Sequence, residues 1–223
     1  MKFNEYMWFK KDYIKEMRYC EDQIGIFDRY QNEFDNWEPH LLNTRRFILE
    51  NCSCQNQKPV AVLGSGWLLD VPVMDLLQKF PKIVCYDIKH PEEILYKFRN
   101  NKNVEFVQFD LTGGAAQYFF KLSKRKMKPD ISILDFSYKK IDFSEFEMII
   151  SLNLLNQLDR LIIDYLANFK RYSADDLQNI SKTIQQNHID NITGQNAILI
   201  FDYEELRFKN GRLIHSEIGR AHV

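Results

Sequence analysis

The sequence is short of cysteine. It has 4, at positions 20, 52, 54 and 85, too few for a fold stapled by disulfides. Cys52-Ser-Cys54 has no matching second pair, which argues against zinc and for free thiols in a reducing compartment. An excess of charge of either sign is also missing. The 30 Lys+Arg stand against 31 Asp+Glu, a formal net charge of -1, so bulk charge gives no attraction to nucleic acid or to an anionic membrane. No apolar run approaches the length of a membrane span, and residues 1–11 lack the apolar core of a signal peptide. A cytoplasmic chain is the expectation. Internal repeats and low-complexity segments are absent as well.

What is present suits one globular domain with an extension. The 223 residues are 45% hydrophobic, enough for a substantial core. The organising stretch is residues 59–87. Val60-Ala-Val-Leu63 is a short apolar, β-branched run and reads as a buried strand. Gly64-Ser65-Gly66 follows at once, where glycine permits positive φ and close approach of backbone to a ligand. Leu68 stands where a third glycine is common. Apolar residues at helical spacing (Val73, Leu76, Leu77, Phe80) predict a helix over 71–80, and Ile83-Val-Cys-Tyr86 is a second buried strand ending at Asp87. Strand, glycine turn, helix, strand and acid make a dinucleotide-type half-fold, in which an acid roughly 20 residues past the glycines holds ribose hydroxyls.

Around this unit, residues 1–50 read as a helical cap, either a layer packed on the sheet or a lid over a ligand. Gly25 is expected to break its first helix, a second runs over 26–34, and Pro39 starts a third over 41–50. Residues 51–216 form the cofactor-binding domain. A short helix over 91–100 is followed by a third strand, Val104-Glu-Phe-Val-Gln-Phe, ending in Asp110, and by the turn Leu111-Thr-Gly-Gly114. The helix over 115–127 ends in cations that read as a solvated face. Residues 130–136 are an insertion, and 146–155 hold strand four. Ser173 caps a helix running to about 189 and closed by Gly194, and 197–202 is strand five. Asn210-Gly211 signals a hairpin. Such alternation implies a doubly wound, mostly parallel α/β sheet with helices on both faces and ligands at the carboxyl ends of its strands. Residues 217–223 read as translated adapter sequence, so the natural chain is expected to continue past Ser216, and the closing antiparallel strands of the sheet are expected to be missing.

The order Val62-Leu-Gly-Ser-Gly66, Asp87, Asp110, Ser151-Leu-Asn-Leu-Leu155 and Ile198-Leu-Ile-Phe-Asp202 resembles the class I S-adenosylmethionine-dependent methyltransferases, over roughly residues 37–205. The resemblance implies a Rossmann-like fold and S-adenosyl-L-methionine as cofactor. It places Gly64, Ser65 and Gly66 beside the methionine part, Asp87 at the ribose, Asp110 at the adenine, and Asn153 and Leu154 at the methionine end and substrate cleft, with Ile88 and Leu111 also among the cofactor-binding residues. It implies methyl transfer to a small molecule or a protein side chain, and Ser151-Leu-Asn-Leu-Leu155 resembles the small-molecule-type members. Two departures stand out: Val62 replaces the usual acid two residues before the first glycine, and the third glycine is absent. Asp70 is a candidate replacement for the lost carboxylate, with a surface or capping role as its alternative.

No catalytic base is assigned from the sequence. His188, His40 and Tyr138 are the candidates, each against a structural role. Two other functions remain open at this stage. An NAD-linked oxidoreductase shares the glycine turn and the ribose acid, but Asp110 has no task in it, and Ser137-Tyr-Lys139 lacks the Tyr-x-x-x-Lys spacing. A non-catalytic scaffold agrees with Val62 and the missing glycine.

Overall fold

The computed structural model describes residues 13–136 and 140–202, and the backbone of 204–209 and 212–218. Five strands form one parallel sheet: β1 (Val60–Leu63), β2 (Ile83–Asp87), β3 (Val104–Gln108), β4 (Met148–Leu152) and β5 (Ala197–Ile200), in the order β3-β2-β1-β4-β5. β1 is buried along its whole length, because β2 and β4 flank it and helices cover both faces. That is why it reads as an unbroken apolar run rather than an alternation. Leu63 stands level with Tyr86 on one side and Ser151 on the other. The carboxyl ends of the three central strands therefore finish on one line.

The pleat separates two cores. Val60 and Val62 face Ile48, Leu76 and Ile94, which belong to α2 (Phe34–Asn51), α3 (Val73–Lys79) and α4 (Glu92–Phe98). Ala61 and Leu63 face the other way, with Ile149 and Ile192. Beyond them pack Phe119, Ile162 and Ile184, from α5 (Ala115–Lys124), α6 (Arg160–Ala167) and α7 (Ala174–Ile192). The architecture is Rossmann-like, with a helical N-terminal region beside it. Among the described residues no helix is long and apolar enough to cross a membrane.

The N-terminal helices differ from expectation. Gly25 lies inside α1 (Tyr19–Asn32) and does not break it. Glycine within a helix costs about 1 kcal/mol relative to alanine, which packing can override. The breaks fall instead at Arg18, whose φ of 61° is left-handed, and at Glu33, whose φ of -122° leaves the helical region. Pro39 does not begin a helix either; it lies within α2. Its missing N–H removes one rung near the helix start, where the amides of Asn36 and Trp37 already share the Glu33 carbonyl. Tyr30 packs edge-on against both Phe34 and Trp37 and holds α1 to α2 across this joint.

Elsewhere the expectations and the structure run close. Residues 130–136 contain a 3-10 turn, Ile131–Ile133, and no strand. Ser173 and Asp176 form a reciprocal capping box at the start of α7, and Gly194 follows that helix with φ 80°. Strands β6 (Glu204–Lys209) and β7 (Arg212–Ile218) pair antiparallel with each other, apart from the main sheet. Of the expected tail 217–223, residues 217 and 218 belong to β7; residues 219–223 and the connecting Asn210-Gly211 lie outside the described residues.

Candidate functional site

The glycine turn is built by close approach. The Gly64 amide donates to the Tyr86 carbonyl at 2.9 Å, carrying the chain across the end of β2. A Cβ at Gly64, where φ is 74°, would sit 3.1 Å from Leu154 Cβ and 3.3 Å from the Leu152 carbonyl oxygen. The residue is glycine for space as well as for backbone freedom. Leu68, at the place of the third glycine, takes a positive φ of 56° itself, at a cost of about 1–2 kcal/mol.

Asp87 ends β2 and accepts the Gly66 amide on Oδ2 at 2.8 Å. Its Oδ1 meets the Lys89 amide at 3.4 Å and Gln23 Nε2 at 3.5 Å. Burial raises the Asp87 pKa, and the Gly66 amide works against that rise. His90 Nε2 lies 3.1 Å from the Val107 carbonyl, and Nδ1 lies 3.4 Å from Ser65 Oγ. A carbonyl only accepts, so the proton is on Nε2 and Ser65 donates to Nδ1. Burial lowers the His90 pKa, and the neutral ring steadies the turn through Ser65.

Asp110 lies beyond β3 and uses Oδ1 to accept from the Thr112 amide at 3.1 Å and from the Thr112 hydroxyl. Thr112 Oγ1 in turn accepts the Ala116 amide, so Asp110 organises the entry to α5. Asn153 follows β4 with φ 47°. Its Nδ2 donates to Asp70 Oδ2 at 2.9 Å. Asp70 sits in the turn before α3, not in the helix, and burial raises its pKa, opposed by its own backbone amide and by Asn153.

α1 lies over this edge of the sheet. The Trp67 indole donates to the Gln23 carbonyl at 2.8 Å and stacks on Phe27 at 4.2 Å between centroids. Gln23 Nε2 also donates to the Lys89 carbonyl. Between α1, α2 and the strand ends lies a cavity of about 610 Å³. All nine residues expected to meet a ligand line it: Gly64, Ser65, Gly66, Asp87, Ile88, Asp110, Leu111, Asn153 and Leu154. Among the described residues six carboxylates line it too (Asp22, Glu33, Asp70, Asp87, Asp110, Asp202), against the single arginine Arg29. The Tyr19 hydroxyl in its wall is buried without a partner, and burial and the charge of Asp110 raise the Tyr19 pKa strongly.

The three base candidates separate. His40 lines the cavity and is exposed. His188 does not line it; it is buried on α7, 3.0 Å from Ser151 Oγ, with its pKa pushed down to about 4 by burial. Tyr138 lies outside the described residues. Sequence reasoning missed Tyr19, Gln23, Trp67 and His90. Only the aromatic density of the N-terminal segment hinted at the first of these. No cluster of His, Cys, Asp or Glu among the described residues is arranged to hold a metal.

No protein-family model matches the chain, and no curated protein matches it either.

Proposed function

We propose that this chain binds S-adenosyl-L-methionine and transfers its methyl group to a small-molecule nucleophile. One observation carries the reading: a single cavity gathers the glycine turn, the acid ending β2 and the acid beyond β3, and among the described residues is lined by six carboxylates to one arginine. A wall of that charge suits a cationic ligand. The residues present also fit an adenosine: at Gly66 a Cβ would meet nothing nearer than Asp87 Oδ2 at 4.0 Å, which leaves room for a ligand, and Asp87, whose Oδ1 meets the Lys89 amide at 3.4 Å and Gln23 Nε2 at 3.5 Å, is suited to ribose hydroxyls. Ile88 and Leu111 offer apolar faces to a base.

Bound, the cofactor supplies a methyl group on a positively charged sulfur. Because that group is already activated, the protein's part is alignment and exclusion of water, and proximity alone can supply up to ~7–11 kcal/mol. α1 with Trp67, Phe27 and Gln23 forms the cover that keeps water out. Among the described residues His40 is the one histidine on the cavity wall, the place from which a substrate proton can be taken; no residue is assigned that role.

The oxidoreductase alternative loses ground on two points. A dinucleotide pyrophosphate seeks a helix N-terminus directly after the glycines, whereas α3 begins only at Val73, behind Pro72. Its two negative charges would also face the acidic wall. Isothermal titration with S-adenosylmethionine and S-adenosylhomocysteine tests the proposal. Saturable binding is expected, and the absence of heat at millimolar ligand would defeat it.

A further inference from the structure

α2 turns an inverted face to the cavity. Glu33 at its N-cap, then Asn36, Trp37 and His40, recur at helical spacing, and all four line the wall. The stripe continues as Leu41 and Ile48, which are buried. It is therefore polar over the cavity and apolar toward the core, while Phe34 and Leu42 stay exposed. A helix packed for stability alone turns its apolar residues inward, and such breaks in local pattern gather at functional sites. The Glu33 carbonyl accepts the amides of Asn36 and Trp37, but its side chain caps nothing. Among the described residues the side chains of Glu33, Asn36, Trp37 and His40 make no hydrogen bond or ion pair, and Arg29, four residues before Glu33, does not pair with it. Of the two acids that the cap turns to the cavity, Asp22 is paired with Arg160 and Glu33 is left uncommitted. None of the nine residues expected to meet the cofactor comes from α1 or α2, so this wall is free for a second molecule.

We propose that Glu33, Asn36 and Trp37 form the acceptor subsite, and that the acceptor is an amine on an apolar, ring-sized body. The inference deepens the proposed function and rests on it. Glu33 and Trp37 stand four residues apart and so share one face of the helix; an aromatic face and a carboxylate together hold an organic cation. Ile26 and Leu41 add apolar wall, and Asn36 Oδ1 can accept an N–H. The amine attacks as the neutral base, its extra proton having gone to water. Its lone pair forms the bond to the methyl carbon while the carbon–sulfur bond breaks and leaves its pair on sulfur. Positive charge thereby passes from sulfur to nitrogen, and an N–H proton then leaves to water. A carboxylate beside the nitrogen favours that passage of charge.

The test is titration calorimetry on protein saturated with S-adenosylhomocysteine. Three probes share one shape: phenethylamine, phenethyl alcohol and hydrocinnamate. In the wild type the amine should bind about tenfold or more tightly than the alcohol, and the carboxylate should not bind. Glu33→Gln should erase the amine's advantage and leave the alcohol's affinity as it was, and Trp37→Leu should weaken both severalfold. Because the Glu33 side chain caps nothing, Glu33→Gln keeps the fold even if Trp37→Leu does not, and thermal melts verify both. Four results overturn the subsite while binding of S-adenosylhomocysteine keeps the methyltransferase reading. They are equal affinity for amine and alcohol, an amine advantage that survives Glu33→Gln, unchanged amine binding in Trp37→Leu, and binding of none of the three probes at millimolar concentration. If the wild type does not bind S-adenosylhomocysteine, the methyltransferase reading falls, and the amine and alcohol titrated into free protein decide the site alone. A Glu33-dependent preference for the amine then retains it as an amine site, and no preference removes it.

Discussion

His188 gives the protein a specific weakness to acid. It is buried between α7 and β4, with Ser151 Oγ at 3.0 Å, and burial pushes its pKa from the ordinary 6.5 to about 4. A base depressed in the fold contributes stability that is present above pH 6.5 and is lost as pH falls toward 4, because the unfolded chain takes up the proton first. The interval between those two values corresponds to roughly 3 kcal/mol, a large part of the 5–15 kcal/mol typical of a folded domain. Other groups titrate in the same range. Asp70 and Asp87, with pKa values raised by burial, act in the opposite sense. A difference measurement removes them. Urea unfolding of the wild type and of His188→Gln, which keeps a polar partner for Ser151 but cannot titrate, is compared from pH 7.5 down to 4.5. The stability of the wild type relative to the variant should fall by roughly 2–3 kcal/mol over that range. A difference that stays flat with pH would refute the reasoning and mean that His188 is solvated enough to ionise in place.

Three further outcomes are expected. Gly113→Ala should destabilise the fold by roughly 2–4 kcal/mol in thermal or urea unfolding, since a Cβ there meets the Phe136 carbonyl oxygen at 1.9 Å where φ is 69°; a wild-type melting curve would show that the 136 segment shifts freely. Asp87→Ala should weaken S-adenosylhomocysteine binding by ~1.5–3 kcal/mol in calorimetry, and unchanged affinity with an intact fold would remove Asp87 from the ligand. Tyr19→Phe deletes a buried hydroxyl that has no partner, so the free protein should be as stable or more so. Affinity for adenosine ligands should fall by about 1 kcal/mol, and equal affinity would assign the ring to packing alone.

The sheet was legible because its central strands are buried on both faces and therefore read as apolar runs, each ending at a residue type that stands out: Gly64, Asp87, Asn153. The helical cap was legible as helical but not in its joints. Gly25 and Pro39 are local breaking signals, yet both lie inside helices, and the joint between those helices falls at Glu33, where Tyr30 packs on Phe34 and Trp37. The roof of the site was hidden because Gln23 meets Lys89 across 66 residues of chain. Asn153 was readable as a cavity residue by position, but its positive φ and its bond to Asp70 arise only when β4 and the turn before α3 are brought together. Leu68 shows the converse. Its type argues for an ordinary backbone, yet the turn imposes a glycine-like φ on it.

Trp67 and Trp37 both line the cavity, and the chain has only 3 tryptophans. The Trp67 ring rests on Phe27 with its N–H held by a backbone carbonyl, so its surroundings are set by α1 and by whatever fills the space beneath. Any movement of α1, and any charged group entering beside these rings, therefore changes the protein's own fluorescence. The molecule carries its reporter where a ligand would sit, and a library of unlabelled compounds can be surveyed by emission alone.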